Sequence, residues 1–598
     1  MSVSYFQQNQ IVLQKRFPHV ANKMDSLEMK VHVPAGYYFE PLERDELWLE
    51  AVRGSVDEQE IIFVYGFGQG VGLADIMEMF PDRLLFVYEP NEENFYNSLS
   101  ELDLELILEH PKLLFLSVGE SHLKVLFYSM CTHLRKEMAF VALRYYLENN
   151  PDSLRDLMED FQKYSDNFYS NKLTQHSFRK DWVRNSLYHL AGMLTSPSIK
   201  ELYNSYENMT AVIIASGPSL QMDIEWVRRM KPHALIISAG SSIQALVKNG
   251  ITPHLATLLD GNAINNKVFS NPDTLSAPFM YLSSSYYEIA DKKGRDKIHA
   301  TIQNDWISQY YMGISMHQAE IMPTSTVTGT AIQTAVWLGA KRIVLMGQDL
   351  SFPDDKYYSD GVGHFEKDFA EGEVKNSQHS ILNVQGTYNV TNPTFLKMKE
   401  GLENLFESLP TVEFINSTRK GAVLEGTVWK PAEEVFKLIA TDNIGLNTVQ
   451  DLLEKIDYQP SVDEVESVKS KISTTINDLT WVKQDFKQLS KQLGKLRELS
   501  RTNPAKCHRT IVDIEQIWGK IVNQPWFEPV IETILPLEIS DFDRELPSVV
   551  SEKNLVRKSN LLNDTLGVLI KNIEDEVPFL EEVLGEALRR IEAISAIM

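Results

Sequence analysis

Apolar positions along the chain change period twice. IIFVYGFGQG (61–70), RLLFVYEPN (83–91) and KLLFLSV (112–118) are unbroken apolar runs of strand length. The helical stretches VGLADIMEMF (71–80) and ENFYNSLSEL (93–102) lie between them. Alternation of that kind predicts a parallel sheet with crossover helices. Residues 151–195 read as helical, opened by Pro151-Asp152-Ser153. A second series of runs comes next: AVIIAS (211–216), ALIISAG (234–240), LATLLD (255–260), PFMYLSS (278–284) and KRIVLMG (341–347). From about residue 430 the period becomes that of a helix. Val462, Val465, Val468, Ile472, Ile476, Leu479, Val482, Phe486, Leu489, Leu493, Leu496 and Leu499 form one long amphipathic helix. Its apolar stripe reads as bundle core, or alternatively as a partner-binding surface. Residues 551–598 give another helical pattern, with Pro578 as a start or a kink. The first 55 residues read as a small mixed segment, in which Tyr37-Tyr38 and Leu47-Trp48-Leu49 are expected to pack on the α/β region after it.

Composition changes this picture little, and charge narrows it. A chain of 598 residues with 43% hydrophobic residues has apolar mass for three or four domains. Its 58 Lys+Arg stand against 82 Asp+Glu, a formal charge of -24. That excess argues against nonspecific binding to nucleic acid or to an anionic membrane, while leaving room for a local basic pocket. Two distant cysteines, Cys131 and Cys507, give neither a disulfide framework nor metal-ligand spacing. The opening MSVSYFQQNQIVLQKRF lacks the apolar core of a signal peptide, and no window is long and apolar enough to span a membrane. The expectation is a cytoplasmic protein without membrane insertion.

Candidate chemistry gathers at strand ends. Gly66-Phe67-Gly68-Gln69-Gly70-Val71-Gly72 follows one strand and Glu89 ends the next. Glycines admit a ligand to the backbone, and an acid can take ribose hydroxyls. The cluster resembles the glycine motif of methyltransferases; its other reading is a purely structural turn. Ser216-Gly217-Pro218-Ser219 follows the strand at 211, and the amides opening its helix favour an anion. Taken alone, it reads equally as a phosphate cradle or as a turn. Thr324 to Thr330 form a hydroxyl-rich loop before a helix, suited to a carboxylate or phosphate, or to capping alone. Asp260-Gly261-Asn262 and Gly347-Gln348-Asp349 end further strands. Such positions are where open α/β sheets bind ligands, which adds Asn262 and Gln348 to the candidate binding residues.

The segments ASGPSL (215–220), TLLDGN (257–262), TSTVTGTAIQTAVWLGAKRIVLMGQDLSF (324–352), NPTF (392–395) and NSTRKGAVLEGT (416–427) resemble the motility accessory factor (Maf) family, whose members glycosylate flagellin. More faintly, the same core resembles bacterial sialyltransferases. The resemblance implies an α/β architecture. An N-terminal Rossmann-like domain (1–150) and a helical linker (151–205) would precede a central sialyltransferase-like parallel-sheet domain (206–432). An all-α C-terminal helical domain (433–598) would follow and grip flagellin. It implies transfer of a nonulosonic acid, of pseudaminic or legionaminic type, from a CMP-activated donor to flagellin Ser or Thr hydroxyls. Ser216, Gly217, Pro218 and Ser219 would hold the nucleotide, and Thr328 and Gly329 the donor phosphate or carboxylate.

Transfer through an oxocarbenium-like transition state needs a base and neutralisation of the departing phosphate. The sialyltransferases use a His base and no essential metal. Here His364 in DGVGHFEKD and His379 in KNSQHSIL are the candidates, with Asp260 and Asp349 as alternative bases or sugar-hydroxyl acceptors. Maf-like sequences often carry a His within the segment that reads Asp355-Lys356-Tyr357-Tyr358-Ser359-Asp360 here, so Tyr358 is the candidate phosphate contact. No His/Cys cluster or Asp-x-Asp motif marks the central region, and no essential metal or cofactor is expected. Two other functions fit the pattern. One is a pterin-type pyrophosphokinase using ATP and Mg²⁺, because the core also resembles that archaeal enzyme. The other is a non-catalytic flagellin-binding chaperone.

Overall fold

The computed structural model describes residues 4–28, 45–134 and 138–598. Its first sheet has four parallel strands: β1 (Ile61–Tyr65), β2 (Leu84–Glu89), β3 (Leu113–Val118) and β4 (Ala139–Ala142), in the order β3-β2-β1-β4. The first three coincide with the long apolar runs. β4 was not expected, because four residues are too few to give a run. The segment read as mixed is helical where described: Tyr5–Arg16, Pro18–Glu28 and Glu46–Val56. Ser4 and Gln7 form a capping box at the first of these helices. The buried Asn9 amide donates to the carbonyls of Leu99 and Leu102 (2.9 and 2.7 Å), so a polar residue holds that helix to the body. Trp48 and Leu49 are buried as expected, whereas Leu47 faces solvent. Tyr37-Tyr38 lie outside the described residues.

The second sheet is larger. Its expected strands are β5 (Thr210–Ile214), β6 (Leu235–Ala239), β7 (Leu255–Leu258) and β8 (Phe279–Leu282). β9 (Lys297–Ala300) was not expected; β10 (Arg342–Met346) was. A separate antiparallel hairpin pairs β11 (His379–Leu382) with β12 (Tyr388–Thr391). β13 (Glu413–Asn416) and β14 (Val428–Trp429) complete the order β14-β13-β10-β5-β6-β7-β8-β9, parallel throughout. The unexpected strands lie toward the two edges and are short. Polar residues interrupt them, as in KIHA and EFIN, so the apolar-run signature is missing.

The chain divides into two compact units, Met1–Thr174 and Gln175–Met598, and the division falls inside the helix Pro151–Leu194. The segment expected as a linker over 151–205 is therefore mostly one 44-residue helix. Its last turns are core: Val183, Leu187 and Leu190 pack with Ile472, Phe486 and Leu580. Val462–Thr502 is one helix as expected, and its stripe, apart from the exposed Val462, packs against Pro504–Val522, Leu555–Asp564 and Leu566–Ser595. The stripe is thus bundle core. Each large apolar side chain there contributes roughly 1.5–3 kcal/mol by burial. Pro578 neither starts nor ends a helix but lies within Leu566–Ser595. An interior proline costs ~3 kcal/mol, which the burial of Leu580, Val583 and Leu584 offsets.

Candidate active site

From β5 the chain moves to β6 on one side, while β10 lies on the other. Connections that diverge in this way leave a crevice at the carboxyl ends of the two strands. Ser216–Ser219 leaves β5 there and Gly347-Gln348-Asp349 leaves β10. The two turns are laced together. Ser219 donates its amide to Asp349 Oδ2 (2.9 Å) and its hydroxyl to Asp349 Oδ1. The Gly217 amide donates to the Gly347 carbonyl (2.8 Å). A Cβ at Gly217 would fall on the Asp349 carboxylate and 2.5 Å from the Gly347 carbonyl, so only glycine fits. Burial pushes the Asp349 carboxyl up to about 6 against the lowering effect of Ser219. The amides of Gly217 and Ser219, left free for an anion on sequence grounds, are therefore committed inside the protein. Ser216, Gly217 and Pro218 remain half-buried, and Asp349 is buried as a strut of the turn.

The hydroxyl-rich loop joins the same end of the sheet. Thr326 caps the helix Val327–Trp337 by accepting from the Gly329 amide (2.9 Å). Gly329 is tight against Thr324, which a Cβ would approach to 2.9 Å. The buried Thr328 hydroxyl donates to Gln348 Oε1 (2.6 Å), and the Gln348 amide donates to Thr418 Oγ1 (3.1 Å). Thr328 and Gln348 thus meet, as two candidate binding residues, and each satisfies the other.

Beyond β10 the backbone is strained. Three of the seven described non-glycine residues with left-handed φ lie here: Leu350 (+51°), Asp354 (+54°) and Asp355 (+56°). A bulky Leu in that region is a true outlier, and such strain concentrates at functional sites. The segment leads into a chain of ring contacts from Phe352 through Tyr357, Tyr358 and His364 to Phe365 and Phe369. His364 is 6% exposed, and its Nδ1 has no hydrogen-bond partner. Burial, helped by the charge of Lys267, pushes its imidazole down to about 4, so the ring is neutral at pH 7. Burial, Tyr357 and the charge of Asp260 hold the Tyr358 hydroxyl well above its ordinary range, so it stays a donor. Asp260 is solvent-exposed at the end of β7, yet protein crowding raises its carboxyl. Asn262 is exposed and accepts from the Ile264 amide (2.9 Å), opening a short helix.

Tyr358 therefore touches His364 and feels the charge of Asp260, while His379 is not in this group. It lies exposed at the start of β11, in register with Thr391, and no described ring contact joins it to the aromatic chain. The sequence reading also passed over the end of β13. Thr418 supports Gln348 there, and Arg419 is bound to Asp223 (2.6 Å) and Glu433. The Lys420 amide donates to Ser219 Oγ (3.2 Å) while its ammonium pairs with Asp354 (2.7 Å). Recognising EFIN as a strand would have placed these residues beside the β10 turn.

Comparison with known proteins gives two findings. A family described as "6-hydroxymethylpterin diphosphokinase MptE-like" matches residues 184–355, which hold β5 to β10 and the Ser216–Ser219 turn. No characterised protein sequence matches the chain. Among solved structures, the MAf glycosyltransferase from Magnetospirillum magneticum AMB-1 is similar over 99% of this chain and 99% of its own, at 14% identity and a TM-score of 0.57. The chain is therefore built, from its first unit to its helical C-terminal region, on the fold of that glycosyltransferase.

Proposed function

We propose that this protein is a glycosyltransferase that moves a nonulosonic acid from its CMP-activated form to Ser or Thr hydroxyls of flagellin. The observation that carries the reading is His364: a buried, neutral imidazole with a nitrogen unpartnered among the described residues, next to Tyr358, which feels the charge of Asp260. An unpaired buried polar atom is costly, and an incoming hydroxyl would satisfy it. The end-to-end likeness to the MAf glycosyltransferase supports the same class of reaction. In the reaction the acceptor oxygen bonds to the anomeric carbon as the bond to the phosphate oxygen breaks. CMP leaves with the electron pair, and the acceptor proton passes to His364. Tyr358, held protonated, donates a hydrogen bond to the departing phosphate. Asp260 accepts from a sugar hydroxyl.

The match to pterin diphosphokinases over residues 184–355 favours a second reading, diphosphate transfer from ATP. Calorimetry with CMP and with ATP plus Mg²⁺ separates the two, since preference for ATP would reject the first. The intact mass of flagellin, co-expressed with the protein and a nonulosonic-acid pathway, tests transfer directly. His364→Ala should lower transfer by about 10²–10⁴-fold while CMP binding persists. Full activity in that variant would remove the histidine base.

A further inference from the structure

A phosphate needs positive charge or free donors, and the Ser216–Ser219 turn has little of either. Two of its amides are committed to Gly347 and Asp349. The chain as a whole repels anions, at -24. A cation must therefore be brought to the turn from elsewhere. Arg419 is already divided between Asp223 and Glu433. Lys420 is different: its amide is 3.2 Å from Ser219 Oγ, and among the described residues its side chain is held by Asp354 alone, on the strained segment after β10. On the other side of the turn, the Ser359 amide donates to the Ser216 carbonyl (2.9 Å). The Ser359 hydroxyl, 3% exposed, has no partner among the described residues. Two loops thus flank one turn, one bringing a lysine and the other an unsatisfied hydroxyl, and the Lys420–Asp354 pair joins them.

We propose that Lys420 and Ser359 are contacts for the phosphate of the donor nucleotide, and that Asp354 holds the place of that phosphate on Lys420 until the nucleotide arrives. The inference rests on reading Ser216–Ser219 as the nucleotide turn. Binding exchanges one anion for another on the same ammonium, so the lysine is never left unpaired. Asp354 then acts as an internal competitor that sets the affinity.

The experiment is a calorimetric titration of the full-length protein with CMP and with cytidine, which lacks the phosphate. Lys420→Met should weaken CMP roughly 10- to 100-fold, the range for a hydrogen bond to a charged group, and leave cytidine unchanged. Retained cytidine binding also shows that the variant is folded. Ser359→Ala should weaken CMP by a smaller factor, again without touching cytidine. Asp354→Asn should tighten CMP, and the Lys420→Met/Asp354→Asn double variant should bind like Lys420→Met alone. If the wild type binds CMP and Lys420→Met binds it equally well, the lysine assignment is overturned and the nucleotide turn survives. If Lys420→Met weakens CMP and cytidine alike, Lys420 is a structural residue and the assignment fails. If the wild type binds no CMP, both the assignment and the reading beneath it fall.

Discussion

The protein contains two glycine turns at the ends of parallel strands, and both are tied by a carboxylate from the neighbouring strand. In the first unit, Glu89 at the end of β2 accepts from the amides of Phe67 (2.7 Å), Gly68 (3.1 Å) and Asn91 (2.8 Å), and from the Tyr146 hydroxyl. In the second, Asp349 accepts from Ser219. The surroundings differ. Glu89 is fully buried, and side chains crowd the glycines. A Cβ at Gly66 would meet the Tyr146 ring at 2.6 Å, at Gly70 Ile107 at 2.6 Å, and at Gly72 Leu143 at 2.8 Å. The acid that a cofactor's ribose would need is spent there on the turn. At the second turn, Ser216 to Pro218 are half-buried, a lysine stands beside Ser219, and a histidine with an unpaired nitrogen lies on the segment after β10. The same strand–turn–helix pattern is thus crowded by side chains in one unit and flanked by a lysine and a histidine in the other. What separates them is what the neighbouring loops bring.

Substituting the glycines should separate the two turns most sharply. Gly217→Ala drives a methyl into the Asp349 carboxylate and the Gly347 carbonyl, both fixed parts of the turn. We expect CMP binding to be lost, with a stability cost of about 1–3 kcal/mol for overpacking. Gly66→Ala clashes with Tyr146 and must hold a φ of +103°, so it should destabilise the first unit by a similar or larger amount. CMP affinity should stay within about twofold of wild type, because Gly66 and the 216–219 turn belong to different compact units and share no partner among the described residues. Calorimetry and thermal melts of both variants check this. A Gly66→Ala protein that melts early and also fails to bind CMP would end the distinction between a structural and a functional turn.

Asp349 offers a smaller effect with a defined pH window. Burial lifts its carboxyl to about 6 in the folded state, above the unfolded value of 3.8. The folded protein therefore binds the extra proton between those values, and this group adds stability as pH falls from 6 toward 4. The difference amounts to about 2–3 kcal/mol at most, from 1.36 kcal/mol per unit. Melting wild type and Asp349→Asn at pH 7 and pH 4.5 isolates it. The wild type should gain on the variant at the lower pH. A constant difference would mean that the carboxyl is already relieved of its burial cost at neutral pH.

These contrasts show how far the sequence could be read. Strands such as IIFVY and TAVII are buried on both faces, so their apolar runs announce themselves, and the glycines after them mark both turns. KIHA hides a strand because His299 is buried by bonding to Ser196 (3.1 Å) rather than by being apolar. EFIN is too short to read, and missing it concealed Lys420. Spacing from the β10 end favours His379 and nearness to the loop after it favours His364, so the sequence leaves both open. A hairpin carries His379 to an exposed strand, and ring packing buries His364. Free amides at the 216–219 turn followed from helix geometry alone, but Asp349 arrives from 130 residues away and takes one of them. Local pattern gave the positions of the turns; their chemistry depends on contacts that no local window contains.

The smallest effect tests what seals the first turn. Tyr146 contributes its ring over Gly66 and its hydroxyl to Glu89. Tyr146→Phe keeps the ring and removes only the hydrogen bond, so the first unit should lose about 1 kcal/mol. The loss should depend on pH in a fixed direction. Burial raises the Glu89 carboxyl, and the Tyr146 bond works against that rise. Without the bond the carboxyl moves further up, and the folded variant holds its proton to higher pH than the wild type does. The variant should therefore approach wild-type stability as pH falls and depart from it as pH rises. Equal losses at pH 5 and pH 8 would mean that Tyr146 holds Glu89 by position alone and does not stabilise its charge. In either case CMP binding should be unmoved, because the anion held at this turn is the protein's own.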